Sequence, residues 1–272
     1  MRALGLAALG LVLAAQGVQA QDALRGSVIE PSPVVMPWSG FYAGGSLSST
    51  FGNTNFTTGQ TKPVIADILR LTTVEDEMNV SDWPIITNSS GARTTGYGGF
   101  IGFNTQWDEI VLGLDINYTR MKYVNDASGS MTRIATLSDD FQYTVTATAN
   151  SHVEVHDLVT MRGRVGYTYG TFLPYLTAGV ALARATQSTT ATVSYPAPTY
   201  VGTNVPAPTL PGFSGTETQG RTNFLAYGWA VGGGIDMALL PNVFARAEYE
   251  YVYLTNIATG LNTARVGVAV KF

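Results

Sequence analysis

His152 and His156 are the chain's two histidines, and both lie in Ser151-His152-Val153-Glu154-Val155-His156-Asp157. Serine, histidine and carboxylate together are the set a hydrolase uses as nucleophile, general base and orienting acid. His152, Glu154 and His156, spaced by two, are also donors of the kind that bind zinc. In an alternating segment, however, residues one apart point to opposite faces, so Ser151 and His152 do not meet. One strand alone also gives poor tetrahedral geometry. The segment reads as a polar strand end, and no catalytic residue, metal site or cofactor is expected. Gly232-Gly233-Gly234 is no nucleotide loop, because neither a helix nor a Lys-Ser/Thr pair follows it.

A second set of reactive groups is charged and periodic. Asp115, Asp236, Glu248 and Glu250, with Arg162, Arg164, Arg246, Arg265 and Lys271, all fall on one face of alternating segments. Four acids facing five bases on a shared inner face have to neutralise one another, since an isolated buried ion is prohibitively costly. The chemistry expected is a lumenal salt-bridge network that closes a narrow barrel. A selective pore would show mostly one sign of charge. Gly44, Gly113, Gly166, Gly179, Ala181, Gly232 and Gly234 share that face and are expected to make room for the arginines.

The elements that must position these charges are strands. The chain ends on Ala264-Arg265-Val266-Gly267-Val268-Ala269-Val270-Lys271-Phe272, with Ala264, Val266, Val268, Val270 and Phe272 on one face. Similar alternation marks eight segments, at 38–50, 94–106, 109–120, 154–169, 172–186, 221–238, 243–255 and 261–272. Long connections (51–93, 121–153, 187–220) alternate with tight turns at 106–108, 169–171 and 239–242. Connections that long are unusual in compact soluble domains. Alternating short turns and long loops are the topology of an outer-membrane barrel. The fold expected is all-β: an eight-stranded antiparallel transmembrane β-barrel with short periplasmic turns and three long extracellular loops. The first loop, with Asp67, Glu75, Asp76, Glu77 and Asp82, is expected to hold a short helix around Val64 to Leu71. The Thr/Ser/Pro/Ala-rich segment Gln187 to Gly220 is expected to stay unordered, having too little to bury.

Outward aromatics in such a barrel gather at the two membrane interfaces. Trp38, Phe41, Trp107, Tyr118, Tyr167, Tyr249, Tyr251 and Tyr253 are the residues expected there. Met1 to Ala20 carries one arginine, an apolar run from Ala3 to Ala15 and Val18-Gln19-Ala20, and reads as a secretory signal peptide. Residues 21–37 then form a Pro-rich periplasmic tether, and 38–272 the barrel. Without a single cysteine, an exported chain must be held by a large core or a closed sheet. Charged residues make up only 12%, and the balance is acidic, which leaves no basic stripe for nucleic acid.

Several stretches together resemble one family. They are Trp38-Ser39-Gly40-Phe41-Tyr42-Ala43-Gly44-Gly45, the run Thr160 to Tyr167, Leu173 to Ala181, Gly228 to Asp236, and Arg246-Ala247-Glu248-Tyr249-Glu250-Tyr251. The pattern is similar to the alphaproteobacterial outer-membrane immunogenic proteins, small porin-like barrels, with Asp236 standing where that family favours Glu. The resemblance covers most strands and essentially none of the long loops. It implies an abundant surface antigen of the Gram-negative outer membrane, with Phe272 as an assembly signal read by the barrel assembly machinery. The omptin proteases, whose Asp/His pairs His156-Asp157 and Asp139-Asp140 resemble, have ten strands. The function expected is therefore non-enzymatic: a largely closed barrel serving envelope structure and surface interaction through its loops. A narrow, low-conductance porin and a binder of hemin or a host ligand are the alternatives. The partners expected are outer-membrane lipid and lipopolysaccharide, with peptidoglycan or a host ligand left open. A start at Gln21-Asp22 departs from the Ala-Asp or Gly-Asp of peptidoglycan-tethered relatives.

Overall fold

Strand-forming alternation closes on itself in this chain. The computed structural model describes residues 37–56, 58–86, 90–203 and 206–272, all within the unit Val34–Phe272. The expected signal peptide and most of the tether lie outside the described residues. Eight long strands follow: β1 Gly40–Thr54, β2 Ser90–Trp107, β3 Ile110–Thr136, β4 Phe141–Tyr167, β5 Phe172–Tyr195, β6 Phe213–Leu240, β7 Val243–Leu254 and β8 Thr259–Lys271. Each pairs antiparallel with its sequence neighbours, and β1 pairs with β8 from Tyr42↔Lys271 to Thr54↔Thr259. That last pairing closes the ring over the height the eight strands share, so the sheet has no open edge there.

One end of the ring is made of tight turns. Asp108 takes φ 50° between β2 and β3, and Gly170 φ 59° between β4 and β5. Asp and Gly tolerate that left-handed conformation at least cost. At the other end the structure departs from expectation. Most of 121–153 and 187–220 is strand: β3 and β4 run on to a four-residue turn at 137–140, and β5 and β6 extend as a second hairpin. In that second hairpin only 196–212 lies between the long strands, and within it Thr199–Tyr200 adds a short strand against Phe141 and Gln142.

The reason is that these segments do not fold alone. Their inward residues Val145, Ala147, Ala149, Val153, Ala191 and Val193 are nearly inaccessible to solvent. They pack in one cluster with Val64, Ile65, Leu69, Val74, Val80 and Trp83 of the first connection. That connection folds into α1 (Thr58–Ile68) and α2 (Thr73–Met78), followed by a 3-10 turn at Val80–Asp82. The expected helix at Val64–Leu71 is thus present but starts earlier. It ends at Ile68 because Leu71 adopts φ 62° and Thr72 caps α2, its hydroxyl accepting from the Glu75 amide at 3.2 Å.

The interior is layered along the axis. At the turn end Trp38, Tyr42, Phe100, Val111, Leu173, Phe244 and Ala269 form a small apolar cluster. The charged layer comes next. Above it, hydroxyl pairs bridge strands, Thr50 to Thr263 at 2.9 Å and Thr54 to Thr259 at 3.0 Å. The apolar cluster around the first connection fills the hairpin end. The outward face carries Leu, Ile, Val and aromatic side chains from Ile110 to Tyr118 on β3 and from Phe172 to Leu182 on β5.

Candidate functional site

Parity along each strand puts the charged residues inside, and register brings them to one height. Asp115 pairs with Arg162 across β3 and β4, Asp236 with Arg246 across β6 and β7, and Glu248 with Arg265 across β7 and β8. Arg162 is the hub. Its guanidinium donates to Asp115 Oδ1 at 2.6 Å, to Glu248 at 2.8 and 3.1 Å, and to Glu250 Oε1 at 2.7 Å. Arg265 closes the far side, donating to Glu248 Oε1 at 2.7 Å and Glu250 Oε2 at 2.6 Å. Arg246 holds Asp236 in a two-point grip, Nε at 2.9 Å and Nη2 at 3.0 Å, and reaches Asp115 Oδ2 at 2.8 Å. Arg164 completes the set on Asp236 Oδ2 at 2.8 Å.

These eight side chains are each 3% exposed or less. Four carboxylates meet four guanidiniums, so the layer is neutral as a whole. Arginine suits this role because its planar fork satisfies two acceptors at once and stays charged when buried. Lys271 is the exception to the expected network. It faces inward but lies far down β8, where its ammonium donates to the Pro37 carbonyl. Six positions separate it from Arg265, roughly 20 Å of strand.

Four uncharged residues complete the layer, and none figured among the charges expected from sequence. Tyr42 donates to Asp115 Oδ2 at 2.9 Å and accepts from Arg164 at 3.2 Å. Tyr175 donates to Glu248 Oε2 at 3.0 Å, and its ring lies 3.8 Å from the Arg164 guanidinium carbon. Asn117 donates to Asp115 Oδ1. Phe100 lies beneath Arg246 at 4.3 Å. The signal available in the sequence was parity, since Tyr42 and Tyr175 alternate with outward neighbours just as the charges do. The inward glycines serve these rings more than the arginines. A Cβ on Gly102 would sit 2.2 Å from the Tyr42 hydroxyl, and one on Gly234 would sit 2.7 Å from that of Tyr175.

Most expected interfacial aromatics face outward. Phe41, Trp107, Tyr118, Tyr167 and Tyr249 are exposed, while Tyr251 and Tyr253 are half-buried with their rings against Trp229 at 5.5 and 6.1 Å. Trp38 corrects the expectation. It is 2% exposed and stacks edge-on against Phe244 at 5.7 Å inside the turn end. It precedes the first strand residue, Gly40, whose φ of 127° redirects the chain. Phe272 projects outward, 80% exposed, with its amide bonded to the Phe41 carbonyl at 2.8 Å.

The histidine segment lies on the outside of β4. His152 Nδ1 is 2.6 Å from Asp126, and both imidazoles approach Glu154, at 3.9 and 3.6 Å. Ser151 points the other way and bonds Thr189 at 3.0 Å inside the barrel, so serine and histidine do not converge. At the hairpin end, Tyr143, Tyr195 and Phe213 form a run of rings, with centroids 5.3 and 5.4 Å apart. Burial, and then the Asp139 carboxylate that accepts its hydroxyl at 2.7 Å, push the Tyr143 phenol well above its usual pKa. Burial alone raises Tyr195.

Comparison with known proteins places this architecture. The chain is 26% identical over 179 residues to the 25 kDa outer-membrane immunogenic protein of Brucella ovis, a match covering 64% of this chain and 62% of that protein. It is 25% identical over 188 residues to the same-named protein of Brucella canis, covering 64% of each. The chain thus matches less than two thirds of the length of either relative. Among solved structures it is similar to Ail, the attachment invasion locus protein of Yersinia pestis. That match has 11% identity, covers 86% of this chain and 99% of Ail, and gives a TM-score of 0.34. Neisserial surface protein A matches with 15% identity, 86% and 98% coverage and a TM-score of 0.36. The model of the outer membrane protein β-barrel domain matches residues 6–272, and the chain therefore belongs to that family, as a barrel of the Gram-negative outer membrane.

Proposed function

We propose that this protein is a closed, non-enzymatic barrel that serves envelope structure and meets the cell's surroundings through its extracellular hairpins. The observation that carries the reading is the neutral, fully buried layer in which Arg162 alone engages Asp115, Glu248 and Glu250. Paired charges of both signs packed across an eight-stranded ring leave side chains where a channel would hold water. A second closure sits above it, because the first connection buries Ile65, Leu69 and Val80 within the extended hairpins. Phe272, exposed at the foot of β8, is read as the assembly signal.

Planar-bilayer recording of the refolded protein tests the closed lumen. No steady conductance is expected from the wild type, whereas large sustained openings would overturn the reading in favour of a narrow porin. A second measurement addresses Phe272. Deleting it is expected to leave export intact but lower outer-membrane levels several-fold, as judged by fractionation and heat-modifiable gel migration. Unchanged levels would remove its assigned role.

A further inference from the structure

One sector of the outward face carries cations and an apolar groove in line with each other. On β3, β4 and β5 the apolar outward run stops at one level: Tyr118 is followed by Arg120, Val159 by Asp157 and Leu182 by Arg184. Register places Asp157 directly between Arg120 and Arg184. The strands are irregular at this same level, with register shifts after Arg120, between Val155 and Asp157, and between Ala185 and Gln187. Bulges of this kind re-aim side chains. Here they open a cleft of about 500 Å³ lined by Arg120, Lys122, His156, Asp157 and Arg184.

The charge in that cleft is not internally neutralised. Asp157 accepts from the Tyr118 hydroxyl at 2.7 Å, and Lys122 leans toward Glu154 at 3.2 Å. His156 also faces Glu154, at 3.6 Å. Among the described residues, Arg120 and Arg184 form no salt bridge and are exposed. Two free guanidiniums flanking a single carboxylate, just beyond an apolar belt, suit a phosphate held at a membrane surface.

Directly below, on the same strands, lies an apolar groove of about 650 Å³ lined by Leu112, Gly163, Val165, Leu176, Ala178 and Val231. It exists because Gly163 and Ala178 are cross-strand partners on the outward face, with larger side chains around them. Ala178 lies roughly 20 Å down β5 from Arg184. For a strand tilted ~40° that is about 15 Å of depth, one leaflet of a ~30 Å hydrocarbon core.

We propose that this β3–β6 sector binds one phosphorylated lipid of the outer leaflet. Its phosphate would be held by the Arg120 and Arg184 guanidiniums on the solvent side of Asp157, and one acyl chain would lie along the groove over Gly163 and Ala178. The site deepens the membrane contact of the proposed function and is independent of whether the lumen conducts.

Native mass spectrometry of the full refolded chain in detergent tests this. The probes are the diphosphorylated lipid anchor of lipopolysaccharide, its dephosphorylated form, and inorganic phosphate. One diphosphorylated lipid is expected to be retained per barrel, and the Arg120→Gln/Arg184→Gln double variant is expected to weaken retention about tenfold or more. Gly163→Leu fills the groove from the outside. The nearest atom to a Cβ there is 3.9 Å away, so folding is expected to be untouched while lipid retention falls. Lys62→Gln, a cation of the first connection paired with Asp82, is expected to change nothing. Equal retention of the dephosphorylated lipid, displacement of bound lipid by inorganic phosphate, or wild-type retention by both site variants would each overturn the proposal. A loss of conductance closure with lipid binding intact would count against the preceding reading and leave this one standing.

Discussion

Arg162→Leu is expected to lower the unfolding free energy of the barrel by about 3–5 kcal/mol, the cost of breaking a buried ion pair by removing one partner. The arginine is the side chain that links the β3 carboxylate to both β7 carboxylates, touching Asp115, Glu248 and Glu250 with its side chain fully buried. Without it, Glu248 keeps Arg265 and Tyr175, and Asp115 keeps Arg246, but Glu250 is left with Arg265 alone. An under-paired carboxylate in a buried layer then takes up a proton or admits water, and either outcome destabilises the fold. The measurement is urea unfolding of the protein in phospholipid vesicles, with unfolding and refolding branches brought to coincidence. Lys271→Met is the matched comparison and is expected to cost about 1 kcal/mol, because among the described residues its side chain bonds the Pro37 carbonyl and no carboxylate. Equal costs for the two variants would refute the network as the main interior stabiliser. The Arg162→Leu/Glu250→Leu pair is expected to recover part of the loss, since replacing both members by apolar groups removes the orphaned charge.

The second large effect concerns the hairpin end. Replacing residues 58–83 with a short Gly/Ser linker is expected to leave the membrane-embedded half folded while the hairpins at 121–153 and 187–220 lose their order. Val64, Ile65, Leu69, Val80 and Trp83 are 0–2% exposed against the inward residues of those hairpins. Burying five such side chains contributes roughly 8–15 kcal/mol before ordering costs are subtracted. Amide hydrogen exchange and limited proteolysis would read the change: fast exchange at Val145, Ala147 and Val153, with protection retained at Asp115 and Glu248. Hairpins protected as in the wild type would show that they hold their own fold. Conductance of the same variant separates the two closures. It is expected to remain low, because the charged layer lies below the excised segment; a steady pore would assign closure to the helices.

The same two regions divide what was legible in the sequence from what was not. Side-chain parity is a property of the strand itself, so Asp115, Arg162, Arg246, Glu248 and Arg265 could be placed on one inner face from alternation alone. Height along the barrel is a property of register, which pairs strands distant in sequence. Lys271 therefore had the right face but not the right level, and Tyr42 and Tyr175 entered the network without being expected there. Trp38 lies before the first strand, where alternation carries no information, and its ring turned into the barrel instead of outward.

Alternation, tight-turn chemistry and the spacing of eight segments determined by themselves that this chain forms an all-β, closed ring with an apolar exterior and a charged interior. These are local signals of period two, repeated often enough that one topology satisfies them all. Tertiary structure decided which charges pair, that the first connection folds inward, and that Thr- and Ala-rich stretches become strands. Those outcomes depend on burial against a partner supplied from elsewhere in the chain. A segment such as Gln187 to Gly220 has too little apolar surface to order itself, yet enough to complete a core that α1 begins.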